Sequence, residues 1–117
     1  MGDMNTPQET LSDGELRHTR DARGVHWLTL NSAKTFNALG ESMMQALQQA
    51  IARVAADDAA RAVVLGAEGK AFCAGHNLKE MRARPELAYY QQLFAQCTRM
   101  MLALRKLPVP VIARVQG

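Results

Sequence analysis

The chain has 117 residues, 48% of them hydrophobic and 21% charged, with a net charge of +3 at neutral pH. Those figures describe one globular domain at most, with enough apolar material for a core. Its lysines and arginines are scattered and aromatic residues make up only 5%, so neither the basic stripe nor the stacking rings of a nucleic-acid surface are present.

The opening stretch, MGDMNTPQETLSDGE, is polar and acidic, without the apolar run of a secretory signal or the arginines of a transit peptide. Residues 1–14 are therefore expected to be a flexible lead and residues 15–117 the folded part. Glu15 to Arg20 and Val25 to Leu30 read as strands joined by the turn Asp21-Ala22-Arg23-Gly24. Asn31 to Leu39 reads as a loop. A helix is expected from about Gly40 to Ala56, burying Met44, Leu47, Ile51 and Val54 at steps of three and four. Asp57-Asp58 end it. Ala62 to Gly66, AVVLG, is a short continuous apolar run of the kind buried on both faces of a sheet.

A helical turn is expected around Leu78 to Arg82, then a long helix with Pro85 near its first turn. Leu87, Tyr90, Phe94, Cys97, Met101 and Leu104 mark its expected buried face, and this methionine-rich stripe reads as core rather than as a binding surface. Pro108 and Pro110 close the helix before a strand at Val109 to Val115. This succession implies an α/β arrangement with crossover helices. The strands at 62–66 and 109–115 are expected to leave unpaired edges that invite association.

No apolar run is long enough to span a bilayer, and no membrane role is expected. Cys73 and Cys97 are too far apart for a C-x-x-C site, and three scattered histidines add no metal-ligand pattern. Two reduced cysteines suit a cytoplasmic protein.

The stretch most loaded with chemistry is EGKAFCAGHNLKEM, residues 68–81, between a strand and a helix. It is not a phosphate loop: Gly66 and Gly69 are two residues too close, and Ala71 stands where a Ser or Thr would bind magnesium. No G-x-G-x-x-G occurs. What remains is the turn Ala74-Gly75-His76, whose backbone N–H groups suit an oxyanion; spacing alone favours a plain helix entry.

The run Gly69 to Met81 resembles the oxyanion-loop signature of the crotonase (enoyl-CoA hydratase/isomerase) superfamily. Asn31 to Leu39 resembles that family's loop lining the coenzyme A site, and Pro108 to Gly117 the strand leading to its second oxyanion turn. The resemblance implies the N-terminal part of a crotonase-like ββα spiral fold and an acyl-CoA thioester substrate. It assigns the first oxyanion donor to the amide of His76, with Gly75 giving the turn its freedom. The carbonyl of Ala74 is assigned to the adenine of coenzyme A. Lys34, Thr35 and Lys79 are assigned to coenzyme A contacts, the lysines beside its phosphates, although both also read as solvated surface residues. No cofactor beyond coenzyme A within the substrate is implied.

His76 stands where small residues are common in the family, and Asn77 where Asp is frequent. Glu41, Glu68, Glu80 and Glu86 match none of the family's catalytic positions and read as exposed charges. The second donor and the paired glutamates are expected in sequence that would follow Gly117. The implied activity is therefore that of a longer protein, a homo-oligomer (trimer or hexamer) adding water to a trans-2-enoyl-CoA or running a related enolate reaction in fatty acid metabolism. A non-catalytic acyl-CoA binder is the alternative.

Overall fold

The computed structural model describes residues 8–35, 37–69, 72–73 and 75–115. Its elements are β1 (Gln8–Ser12), β2 (Leu16–Asp21), β3 (Val25–Leu30), α1 (Glu41–Ala55), β4 (Ala62–Ala67), α2 (Leu78–Ala83), α3 (Leu87–Arg105) and β5 (Val111–Ala113). The strands form one sheet in the order β1-β2-β3-β4-β5. The first two pairings are antiparallel, whereas β3–β4 and β4–β5 are parallel. A parallel neighbour cannot be reached by a tight turn, and α1 and α3 supply the two crossovers.

The β2–β3 turn is built as its sequence requires. Gly24 has φ +88°, and a Cβ there would stand 2.4 Å from the carbonyl oxygen of Ala59. Both the dihedral and the space demand glycine. Asp21 sits buried beneath this turn, accepting from the backbone N–H groups of Arg23 and Val25 and from the Arg23 and Trp27 side chains. Burial alone would raise its pKa, but these donors outweigh it and hold the carboxyl at about 2.

Alternation along the strands sends Leu16, His18, Leu28, Leu30 and Val63 toward α1, where Met43, Met44, Leu47, Ala50, Ile51 and Val54 complete the core. The helix face read from the periodicity is thus the buried one, widened by Met43 and Ala50.

Four expectations are corrected. Gln8–Ser12, assigned to a flexible lead, is a strand on the outer edge of β2, with the Thr19 hydroxyl donating to Gln8 Oε1 at 2.8 Å. Its backbone pairing needs no apolar stripe, so its mostly polar sequence gave no sign of it. Strand β4 is half-buried: Val63 faces the core, while Ala62 and Val64 line an open depression with Trp27 and Ile112. It is also paired on both sides, so the sheet edges among the described residues are β1 and β5. The latter is shorter than read, three residues long, and exposed.

The fourth correction concerns α3. Its fully buried residues are Tyr89, Leu93 and Met100; of the expected stripe Tyr90, Cys97 and Leu104 are half-buried against the core, while Leu87, Phe94 and Met101 are exposed. Apolar residues occupy both tracks, so period alone cannot choose between them. Packing on α1 chooses, and Gln96 fixes the rotation by donating to Gln48 Oε1 at 3.1 Å. Pro85 lies outside the helix, just before the N-cap Glu86.

A polar chain crosses the core beneath β2 and β3. Arg53 Nε donates to His18 Nδ1 at 3.3 Å, His18 Nε2 lies 2.8 Å from His26 Nδ1, and His26 Nε2 lies 2.7 Å from Asp57 Oδ2. Arg20 Nε meets the same carboxylate oxygen at 2.7 Å. A guanidinium can only donate and a carboxylate can only accept, so the two ends fix both tautomers. His18 thus accepts on Nδ1 and donates from Nε2 to His26 Nδ1, and His26 donates from Nε2 to Asp57.

Candidate functional site

Two loops singled out in the sequence, 31–39 and 68–77, lie against each other. Asn37, fully buried with φ +55°, holds them together: its Oδ1 accepts from the Ser32 N–H at 2.7 Å and its Nδ2 donates to the Glu68 carbonyl at 2.8 Å. Asparagine tolerates the left-handed region better than most residues. Gly69, at φ +91°, packs so closely on Ala33 that an added Cβ would lie 2.8 Å from the alanine methyl. Asn37 was not singled out from the sequence. Its signal was available: an Asn in a loop is the usual non-glycine choice for a left-handed residue that also bonds back to the chain.

The loops are also joined by a single parallel bridge between Leu39 and His76. Leu39 N–H donates to the Gly75 carbonyl at 2.6 Å, and Asn77 N–H donates to the Leu39 carbonyl at 3.2 Å. In such a bridge the groups facing Leu39 belong to residues 75 and 77. Successive peptide groups of extended chain alternate in direction, so the N–H of His76 is turned away from Leu39. Among the described residues it has no hydrogen-bond acceptor.

Gly75 has φ +89°, and a Cβ built on it would have nothing within 4 Å. Its freedom serves the dihedral, and the space beside it is open. The Gly75 N–H is held by Cys73 Sγ at 3.4 Å. Cys73 also borders a wholly apolar cavity of about 180 Å³ enclosed by Leu28, Leu39, Leu65, Phe72 and Met100 among others. On the other side the His76 ring stands edge-on to Phe94, 5.1 Å between centroids, and lines an open groove of about 340 Å³ along α3.

The turn then enters α2 under two caps. Asn77 Oδ1 accepts from the Glu80 N–H at 3.1 Å. The Glu80 carboxylate reaches back to the Glu41 N–H at 2.9 Å and takes the Tyr89 hydroxyl at 3.3 Å. Glu80 is therefore a cap on the start of α1 rather than the exposed charge expected of it, and it ties the glycine turn to that helix. Burial, with the nearby Glu80 charge, raises the pKa of Tyr89. Glu68 and Glu86 are exposed, as read, and Glu41 is half-exposed.

Lys34 and Thr35 sit on an exposed 3-10 turn, Ala33–Thr35, where the Thr35 hydroxyl bonds the Ser32 carbonyl at 3.1 Å. Lys79 is exposed on α2. Ala74, assigned to adenine, lies outside the described residues, as do Lys70 and Ala71. No cluster of potential metal ligands occurs among the described residues, and none of their helices is long and apolar enough to cross a membrane.

Residues 20–117 match the enoyl-CoA hydratase/isomerase family. The chain belongs to that family. Over 111 residues it is 38% identical to the mitochondrial enoyl-CoA hydratase domain-containing protein 3 of Xenopus laevis, a match covering 91% of this chain and 38% of the relative. Among solved structures, an enoyl-CoA hydratase of Mycobacterium smegmatis is 58% identical with a TM-score of 0.87, covering 90% of this chain and 41% of that one. Human enoyl-CoA hydratase domain-containing protein 3 is 32% identical with a TM-score of 0.82, covering 89% and 41%. The fold is thus the crotonase fold in part, and the chain spans about two-fifths of the length of these relatives.

Proposed function

We propose that this chain carries the first half of an acyl-CoA thioester site, with the backbone amide of His76 as one donor to the thioester oxygen. The observation that carries the reading is the outward amide at residue 76 beside the open space at Gly75. An amide already fixed by its neighbours needs no reorganisation when negative charge develops on the oxygen, and such a donor is worth roughly 2.7–4 kcal/mol in the transition state. The groove along α3, walled by Phe94 and Met101 beside His76, is suited to hydrocarbon and takes the acyl chain. Lys34 and Thr35, exposed on the 3-10 turn, and Lys79, exposed on α2, meet coenzyme A in this reading, the lysines by charge.

In this reading the reaction belongs to a longer protein. A second donor and the groups that move water and protons come from outside the described residues. In the longer protein, the two amides together stabilise an enolate, and the chemistry is hydration or isomerisation of an enoyl-CoA. The second reading, an acyl-CoA binder without turnover, is favoured by one observation. Glu80, the acidic residue that follows the turn in the chain, is engaged as a helix cap.

Calorimetry with butyryl-CoA and free coenzyme A tests the site. The ester should bind more tightly than the free thiol, and Gly75→Val should remove the difference. Equal affinities would refute the acyl site. The 117-residue chain should leave the absorbance of crotonyl-CoA unchanged; hydration at an ordinary enzymatic rate would overturn the assignment of the remaining groups to other sequence.

A further inference from the structure

The side chain of His76 serves a different purpose from its amide. Its Nδ1 is buried and has no hydrogen-bond partner among the described residues. A buried lone pair without a partner is tolerated more readily than a buried N–H. The proton therefore belongs on Nε2, which makes the ring a hydrogen-bond donor toward the groove it lines.

The opposite wall of that groove is α3, where Phe94, Thr98, Met101 and Arg105 follow at helical spacing. Phe94 and Met101 are 47% and 49% exposed, a degree of exposure that marks a surface without its complement. The Thr98 hydroxyl already donates to the Phe94 carbonyl at 3.0 Å, leaving only its acceptor capacity. Arg105 has no carboxylate partner among the described residues. The groove thus offers apolar walls, one ring N–H donor at His76 and one permanent cation at Arg105.

We propose that this groove selects acyl-CoA thioesters whose acyl group ends in a carboxylate. The inference rests on the thioester reading above, since the amide and the side chain of one residue would then address two parts of one ligand. The methylene chain lies along Phe94 and Met101, and its terminal carboxylate accepts from His76 Nε2–H and from the Arg105 guanidinium. A planar guanidinium matches a carboxylate in two parallel bonds, and ionised pairs of this kind are the strong hydrogen bonds. The large ring at residue 76 is the feature that makes the groove polar. A small side chain there would leave hydrocarbon alone.

Glutaryl-CoA and pentanoyl-CoA have acyl chains of equal length and differ at the terminal carbon. Calorimetry on the 117-residue chain should give about tenfold tighter binding of glutaryl-CoA, as expected for one charge-assisted pair. Arg105→Gln should abolish the preference while leaving pentanoyl-CoA affinity within about twofold. His76→Phe should likewise bring the ratio of the two affinities close to one. Equal binding of the two esters by the unaltered chain overturns the selectivity and leaves the thioester site standing. Failure to bind either ester overturns the site itself. If Arg105→Gln weakens both esters alike, the guanidinium meets the phosphates of coenzyme A and the proposed carboxylate contact is wrong.

Discussion

Replacing His18 by Gln probes the polar chain beneath β2 and β3, because Gln keeps one acceptor and one donor at the head of the side chain but cannot titrate. His18 is 0% exposed. Its pKa is lowered from 6.5 to about 4, first by burial and then by the neighbouring His26 and Arg53. A proton added to Nδ1 would face the N–H of Arg53, and the geometry leaves it no acceptor. The folded state therefore resists protonation that the unfolded chain accepts. With a depressed imidazole pKa the stabilisation is complete above pH 6.5 and is lost as pH falls toward 4. Two to three kcal/mol is the approximate size of the loss, the lower figure allowing for water entering the depression beside His26 and Arg53. Urea unfolding at several pH values between 4.5 and 7.5 reads it directly. The carboxyls of Asp21 and Asp57, both lowered to about 2, change protonation below this range, so they do not confuse the slope. His18→Gln should be within about 1 kcal/mol of the parent at pH 7.5 and should lose most of the acid slope. An unchanged slope would refute the tautomer assignment and the sign of the shift.

The remaining predictions follow from packing and dihedrals. Leu93→Ala should cost about 2–5 kcal/mol and Phe94→Ala less than about 1 kcal/mol, since Leu93 is 2% exposed and Phe94 47%; the reverse order in thermal or urea unfolding would put the buried face of α3 back on its expected track. Gly24→Ala should destabilise more than Gly75→Ala: both have positive φ, worth about 1–2 kcal/mol, but only Gly24 also meets a carbonyl oxygen, at 2.4 Å. Equal losses in urea titrations would count against that clash. Asn37→Ala should remove about 1–3 kcal/mol of stability and weaken butyryl-CoA binding in the same calorimetric assay. Loss of stability with unaltered binding would show that the two loops do not need that brace to present the site.

Much of the fold was legible because its signals are local. The α1 stripe has one apolar track and admits one buried face, and the Asp21–Gly24 turn and the β3 run mark their own boundaries. Helix α3 is ambiguous by sequence: two apolar tracks lie one residue apart, and only the partner helix decides between them. Strand β1 was hidden because its order comes from pairing with the outer edge of β2. At the site, the bareness of Gly75 and the helix entry that follows it could be read in the sequence, but the caps at Asn77 and Glu80 and the direction of the His76 amide could not. That direction is a property of the Leu39 bridge, formed by residues almost forty positions apart. The histidine network was equally invisible, because His18, His26 and Asp57 become neighbours only after β2, β3 and the end of α1 are assembled.

The Leu39 bridge also bears on how this surface can diversify. It aims a main-chain N–H using only main-chain groups of its neighbours, so no atom of the side chain at 76 takes part. Substitution there can alter the chemistry of the groove while the direction of the amide is inherited unchanged. Divergence at residue 76 is then decoupled from divergence in the backbone that presents it, and a lineage can try new side chains at that position without first rebuilding the turn.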